Sequence, residues 1–272
     1  MFLLLNNKKY LILTIVSAIL ILASISVALY PTLSHTLTNQ KLIKQTETFE
    51  EHIKDDNIIP ADKTREQAID EKIIDEEGYV LDENQNRKYS TPAYYEVDLK
   101  RLYEDSVKYN KELIETQYER LKDTSWTDTS LNLEDYGITD DIYAYVSIPS
   151  IDLKLPIYLG ATEYNMENGA AHLTHTSLPI GGKNSNCVLA GHTGYFGRTF
   201  FDEINQLDIG DEVNIVNFWR TLHYKVVSIN VLPPNDGSNL FIEKDKDLLT
   251  LFTCKYHGDG KFDRYYVVCE RT

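Results

Sequence analysis

The chain has 272 residues, enough for one medium-sized domain with extensions or for two small domains. It carries 42 acidic against 27 basic residues and a formal net charge of −15. This charge and the absence of a basic patch argue against a surface that binds nucleic acid. The three cysteines are too few and too widely spread for a disulfide framework, and the acidic residues show no calcium-ligand pattern. The sequence therefore predicts neither a cofactor nor a metal.

An uncharged apolar stretch at residues 10–30 follows Lys8 and Lys9. Its length matches the roughly 20 residues that cross a bilayer as a helix, whereas the apolar core of a cleavable signal peptide has about 7–15. No Lys or Arg follows until Lys41, so the positive-inside rule places the N-terminus in the cytoplasm and the remainder outside the cell membrane. Residues 1–33 are predicted to be a cytoplasmic tip and a single-pass signal anchor.

The next part of the chain connects this span to a globular region. Residues 34–90 are polar and acidic, with two helical stretches separated by DDNIIPAD, and are predicted to form a solvated stalk. Residues 91–141 form a separate unit, in which 98–121 has apolar residues at helical spacing and predicts an amphipathic helix. Residues 122–141 show neither period and predict a long loop, where Trp126 needs a packing or a functional partner.

Residues 142–272 change to short apolar runs separated by turn signals, such as IYAYVSI, DEVNIVNF and RYYVVCE. Seven or eight such runs in a segment of this length predict a mainly β fold, a closed or nearly closed barrel with short helices.

Cys254 ends the apolar run DLLTLFTC, so its thiol is expected at the rim of the barrel. A thiol there is a packing residue, half of a disulfide, a metal ligand or a nucleophile. Cys254 and His257 have the spacing of half a zinc site, but no second pair with matching spacing exists. Cys187 and Cys269 each lie within an apolar run, which favours two buried free thiols over a disulfide between them.

A nucleophilic thiol needs basic or cationic neighbours and a group that gives a proton to the leaving amine. His257 and Arg264 follow Cys254 closely, and His192 opens the loop HTGYFGRTFF directly after another apolar run. Gly191 and Gly194 leave the backbone beside His192 accessible to a ligand. On spacing alone, His192 and His257 are equal candidates for the partner of Cys254.

Three features together resemble the sortase family of cysteine transpeptidases: TLFTC at residues 250–254, LAGHTG at 189–194, and an arginine at the head of the final strand. The likeness covers roughly residues 142–269 and includes HLTHTSLPIGG. It implies a sortase-like catalytic β-barrel over 142–272.

The resemblance also implies roles for individual residues. Cys254 is the nucleophile, His192 the proton donor, and Arg264 steadies the oxyanion or the substrate backbone, so that His257 becomes a loop residue. Next to these, the weaker candidates for the substrate pocket are Thr253, Thr193 and Gly194.

Two motifs are most similar to those of class C, the pilin-polymerising sortases: HLTHTSLPIGG and AGHTG. That class carries an N-terminal lid with an Asp-Pro-aromatic motif, which sets the Asp near the arginine and the aromatic ring over the cysteine. The corresponding loop here runs from Asp123 to Trp126, without the proline and with the aromatic one residue further on. Asp123 and Trp126 are therefore a lid hypothesis. The usual class C span after the catalytic domain has no counterpart, so a class A- or D-like enzyme stays open.

The implied substrates are secreted surface proteins or pilins with a Leu-Pro-x-Thr-Gly-like sorting signal. Cys254 would attack the Thr carbonyl, and a pilin lysine or a peptidoglycan cross-bridge would accept the acyl group. Two other classes remain open: a secreted cysteine peptidase that hydrolyses its substrate, and a tethered adhesion or scaffold module in which Cys254 is a core thiol.

Overall fold

A computed structural model gives the fold and describes residues 2–54, 57–60, 63–122, 126–194, 200–256 and 258–272. Its helices are α1 (Phe2–His52), α2 (Arg65–Asp70), α3 (Leu99–Arg120) and α4 (Glu163–Met166). Its strands are β1 (Ile58–Pro60), β2 (Tyr94–Val97), β3 (Ile142–Ile148), β4 (Leu153–Leu159), β5 (Ala170–His172), β6 (Ser185–Ala190), β7 (Glu212–Asn217), β8 (Thr221–Leu232), β9 (Asp247–Tyr256) and β10 (Phe262–Arg271).

Strands β3 to β10 close into an eight-stranded barrel in the order β10-β8-β7-β3-β4-β5-β6-β9. The pairs β4–β5 and β6–β9 are parallel, and the other neighbours are antiparallel. The closed, mainly β barrel predicted from the alternating apolar runs is thus confirmed. Because β6 and β9 run in the same direction, the residues that leave both strands emerge at the same end of the barrel.

Helix α1 is apolar and exposed over residues 10–30, and a later part of it packs on the barrel. From Tyr10 onward it is long and apolar enough to cross a membrane by length and composition, a test that a signal sequence also passes. Further along, Leu42, Thr46 and Phe49 are buried, and Leu42 and Phe49 belong to the barrel's core cluster. Their spacing of four and three residues puts them on one face of the helix. This part of the chain therefore differs from the predicted solvated stalk. Although its composition is polar, its few apolar residues lie on one face of the helix and pack on the barrel.

Residues 57–97 contribute a second small core. Ile59, Ala68, Ile74, Val80 and Ala93 are buried together in a cluster separate from the barrel. Helix α2 begins with a capping box, in which Thr64 and Gln67 exchange hydrogen bonds. This part of the predicted stalk is therefore folded too.

Helix α3 confirms the predicted amphipathic helix, with Asp98 as its N-cap. Its buried face carries two amides that hold loops of the barrel. Asn110 exchanges two hydrogen bonds with the backbone of Leu178. Gln117 accepts one from the backbone N–H of Ile242 at 2.8 Å and donates to the carbonyl of Leu240. Helix α3 thus fixes the segment between β8 and β9, which borders the site described below.

Cys187 and Cys269 are buried free thiols. They lie on opposite sides of Leu249, because β9 runs between β6 and β10. Two strand spacings separate their backbones by roughly 9–10 Å, beyond the roughly 7 Å that a disulfide spans. Burial raises the pKa of both thiols, which keeps them protonated and unreactive.

Candidate active site

Cys254 and Arg264 are direct neighbours across β9 and β10. The antiparallel register places them opposite each other, and Arg264 Nη1 donates to Cys254 Sγ at 2.9 Å. The thiol is partly exposed, unlike the other two cysteines. A guanidinium in contact with a thiol stabilises negative charge that develops on the sulfur or on an oxygen beside it.

His192 leaves the strand on the other side of β9. Strands β6 and β9 pair in parallel up to Ala190 and Phe252, and the Gly191 N–H continues the ladder by donating to the Phe252 carbonyl at 3.1 Å. Extending this register by two residues sets His192 beside Cys254. The carbonyl of His192 accepts from the Phe201 N–H at 2.9 Å, which fixes the backbone where the loop returns. The sequence-predicted trio therefore comes from three adjacent strand ends, with Cys254 in the middle.

Alternation along β9 divides its side chains between the two faces of the barrel wall. Leu249 and Leu251 belong to the barrel core, and Thr253 points the same way. Phe252 packs in an outer cluster, and Cys254 shares its face. Thr253 is therefore not beside the thiol on one face. Its hydroxyl donates to the Gly191 carbonyl at 2.7 Å and joins the strand of Cys254 to the one that precedes His192.

A cavity of about 840 Å³ opens on the outer face next to Arg264. The rings of Phe252 and Tyr266 form part of its wall and stack with centroids 5.2 Å apart. The Arg264 guanidinium lies 5.6 Å from the Phe252 ring centroid, within the range of a cation–π contact. Residues 233–238 of the segment that α3 holds form another side.

Trp126 lines this same cavity. Its carbonyl accepts from the Ala161 N–H at 2.8 Å and from the Thr174 hydroxyl at 2.9 Å, while its ring packs on the outer cluster with Leu173 and Leu240. The indole Nε1 is buried and has no hydrogen-bond partner within the described ranges. Asp123, the other residue of the lid hypothesis, lies outside the described residues, and so does His257.

A second cavity, of about 230 Å³, lies at Cys254 itself. Thr193 and Gly194, both predicted pocket residues, line it together with Thr253. Asp202 lies in the same wall and accepts from the Thr193 hydroxyl at 3.2 Å, from the Gly194 N–H and from the Phe200 N–H. The sequence analysis missed Asp202, since only the folded loop brings its carboxylate back to the residues that follow His192.

Among the described residues no group of three His, Cys, Asp or Glu side chains is arranged to hold a metal ion.

Comparison with known proteins places this geometry in a family. A model of the sortase domain matches residues 146–272. Sortase A of Bacillus anthracis is 32% identical over 123 residues, which are 45% of this chain and 56% of that relative, so the match spans little more than half of its length.

Two solved structures cover more of the chain. Sortase C from Clostridium perfringens SM101 is 34% identical, with 64% of this chain and 88% of that chain covered and a TM-score of 0.51. Sortase C-1 from Actinomyces oris is 32% identical, with 64% and 99% covered and a TM-score of 0.54. Since about a third of the residues are identical along nearly all of both structures, and the barrel is shared, the chain belongs to the sortase family of cysteine transpeptidases and resembles its class C members.

Proposed function

We propose that the protein is a membrane-anchored, extracytoplasmic cysteine transpeptidase that assembles pilin subunits. It cleaves a Leu-Pro-x-Thr-Gly-like sorting signal between Thr and Gly and joins the Thr carbonyl to a pilin lysine. The observation that carries this proposal is the contact of 2.9 Å between Arg264 Nη1 and Cys254 Sγ, with His192 leaving the adjacent strand.

Acylation requires three roles that these residues can fill. The Cys254 thiolate attacks the Thr carbonyl, and the carbonyl oxygen takes the negative charge beside the Arg264 guanidinium. The C–N bond then breaks, and His192 as an imidazolium gives its proton to the departing Gly amine. A thioester on Cys254 and a neutral His192 remain.

The larger cavity suits the part of the sorting signal that becomes the acyl group on Cys254. Its volume of about 840 Å³ lies within the range of roughly 300–1,000 Å³ that is typical of pockets for drug-sized ligands, which a short peptide segment matches. Apolar and aromatic side chains in its wall suit the Leu and Pro of the signal, while Arg264 marks the end at which the carbonyl reacts.

The anchor places the reaction outside the cell. Lys8 and Lys9 precede the apolar part of α1, so the positive-inside rule predicts a cytoplasmic N-terminus and an external barrel. Secreted substrates would then meet the site as they emerge.

The test uses the full chain in detergent with a panel of Leu-Pro-x-Thr-Gly peptides and candidate amines. Mass spectrometry should show the acyl fragment on Cys254 and, with an amine, the amide product. Cys254→Ala should abolish the adduct without changing the circular dichroism spectrum. A variant that still cleaves the peptide would overturn the proposal, and a free acid as the sole product despite added amine would identify a hydrolytic peptidase. A Cys254 that resists thiol reagents would favour a scaffold role.

A wall-anchoring sortase is the second candidate, because 123 residues of the chain are 32% identical to a sortase A. The acceptor would then be a peptidoglycan cross-bridge amine. Efficient transfer to a glycine amine, but not to a lysine side chain, would favour this alternative.

A further inference from the structure

Three cross-strand pairs form a ladder on one face of β9 and β10. The register pairs Phe252 with Tyr266, Cys254 with Arg264, and Tyr256 with Phe262. Alternate residues of a strand share a face, so the reactive pair lies between two aromatic pairs. The Phe252–Tyr266 pair lines the larger cavity, and the Tyr256–Phe262 pair lines the smaller one. The nucleophile therefore stands between two compartments, each with an aromatic pair in its wall.

The residues that follow His192 distinguish the two compartments. Thr193 and Gly194, which follow it directly, line the smaller cavity, whereas Arg264 lines the larger one. The group that gives a proton to the leaving amine must lie on the amine's side of the scissile bond. The incoming amine attacks the thioester from the position that the first amine leaves. The smaller cavity is therefore on the amine side.

The aromatic pair in this cavity is unusually exposed. Tyr256 is 60% exposed and Phe262 46%, and their ring centroids are 5.3 Å apart. The outer faces of both rings are therefore open to contact with a molecule that enters the cavity. The cavity's volume of about 230 Å³ is below the usual range for a peptide-sized ligand and suits one side chain.

We infer that the smaller cavity is the acceptor subsite, in which Tyr256 and Phe262 hold the methylene stem of a lysine side chain. The inference rests on the proposed transpeptidase function and specifies its second substrate. An apolar aromatic wall gains contact from the four methylenes of a lysine, and gains almost none from the amine of a glycine cross-bridge.

At this subsite the lysine amine takes the acyl group from Cys254. The neutral lysine nitrogen attacks the thioester carbonyl, a C–N bond forms, and the C–S bond breaks. The electron pair of that bond stays on Cys254 as the thiolate. The surplus proton on nitrogen goes to His192, which returns to the imidazolium form with which acylation began.

The test compares three acceptors with the full chain in detergent. Nα-acetyl-lysine amide carries the stem, triglycine carries an amine without it, and hydroxylamine traps the thioester with no stem at all. In the double variant Tyr256→Ser/Phe262→Ser, kcat/KM for the lysine acceptor should fall about tenfold, the effect of losing about 1.4 kcal/mol of apolar contact. Because all three acceptors share the acylation step, the ratio of lysine transfer to hydroxylamine trapping should fall by the same factor.

Tyr164→Ser is the matched control, because Tyr164 is 67% exposed and lies on α4, outside both cavity walls. A double variant with unchanged lysine transfer would overturn the inference. An equal fall in the rate of hydroxylamine trapping would also overturn it, because the substitutions would then impair the enzyme in general. Equal falls in kcat/KM for the lysine acceptor and for triglycine would overturn it as well. If the wild type released no Gly fragment, the proposed function itself would fail.

Discussion

Arg264 connects two parts of the candidate site. Its guanidinium contacts the sulfur of Cys254 and lies over the Phe252 ring, so one side chain borders both the proposed nucleophile and the larger cavity. A planar fork of donors suits an oxygen that gains charge during attack. The antiparallel register produces this contact without any special loop.

Asp202 lies in the wall of the smaller cavity and accepts hydrogen bonds from the two residues that follow His192. Among the described residues, its donors include the Thr193 hydroxyl and the Gly194 N–H. We expect Asp202→Asn to lower kcat for acylation about tenfold, because the amide replaces one accepting oxygen by a donor and repels an N–H. The measurement is the pH profile of kcat/KM, in which the limb that the proposed mechanism assigns to His192 should shift.

Asp82→Asn is the control for this change, because Asp82 also accepts two backbone N–H groups in a turn, those of Asn84 and Asn86. It should leave both kcat and the pH profile unchanged. An Asp202→Asn enzyme with the wild-type profile would contradict a positioning role.

Among the elements, the segment that follows α3 contributes Trp126 to the wall of the larger cavity. The indole lies in the wall that Arg264 also lines, and its Nε1 is buried without a partner within the described ranges. If this segment acts as a lid, Trp126→Ala should raise the rate at which a small alkylating reagent modifies Cys254, because it widens access to the groove. An unchanged rate would count against the lid. Tyr118→Ala, an exposed aromatic on α3, serves as the control.

Strand β5 ends in a buried histidine that makes stability depend on pH. Burial lowers the pKa of His172 to about 4, and its Nε2 lies 3.2 Å and 3.1 Å from the carbonyls of Thr176 and Ser177. The unfolded chain binds a proton near pH 6.5 and the folded chain only near 4, so unfolding becomes easier as pH falls between these values. We expect the free energy of unfolding to drop by about 3 kcal/mol across this window.

Urea unfolding of the full chain at a series of pH values checks this expectation. His172→Gln keeps a neutral donor and should flatten the curve between pH 6.5 and 4. His223→Gln, an exposed histidine on β8, should leave it unchanged. Parallel curves for the wild type and His172→Gln would contradict the assignment.

At the scale of the molecule, α1 joins the candidate membrane span directly to the barrel. At 1.5 Å per residue, the part of the helix after residue 30 is roughly 30 Å long. Leu42 and Phe49 belong to the core cluster of the barrel. We expect this packing to hold the barrel at a defined height above the membrane, in contrast to a flexible stalk.

Much of this molecule is determined by local sequence. Alternating apolar runs predict the barrel because side chains on a strand alternate between its faces, and an uncharged stretch predicts the span because a bilayer admits few charges. The amphipathic period of residues 98–121 predicts α3 in the same way. The partial exposure of Cys254 is predicted in the same way, because the residue ends an apolar run and its thiol is therefore expected at the rim of the barrel.

The tertiary structure decided what depends on partners distant in the chain. The parallel pairing of β6 with β9 brings the Gly191 carbonyl to the Thr253 hydroxyl across 62 residues, a contact that no spacing in the sequence indicates. The packing of α1, the return of Asp202 and the division into two cavities have the same origin. None of these features produces a periodic pattern in the sequence. Each depends on contacts between segments that are distant in the chain and meet only when the barrel closes.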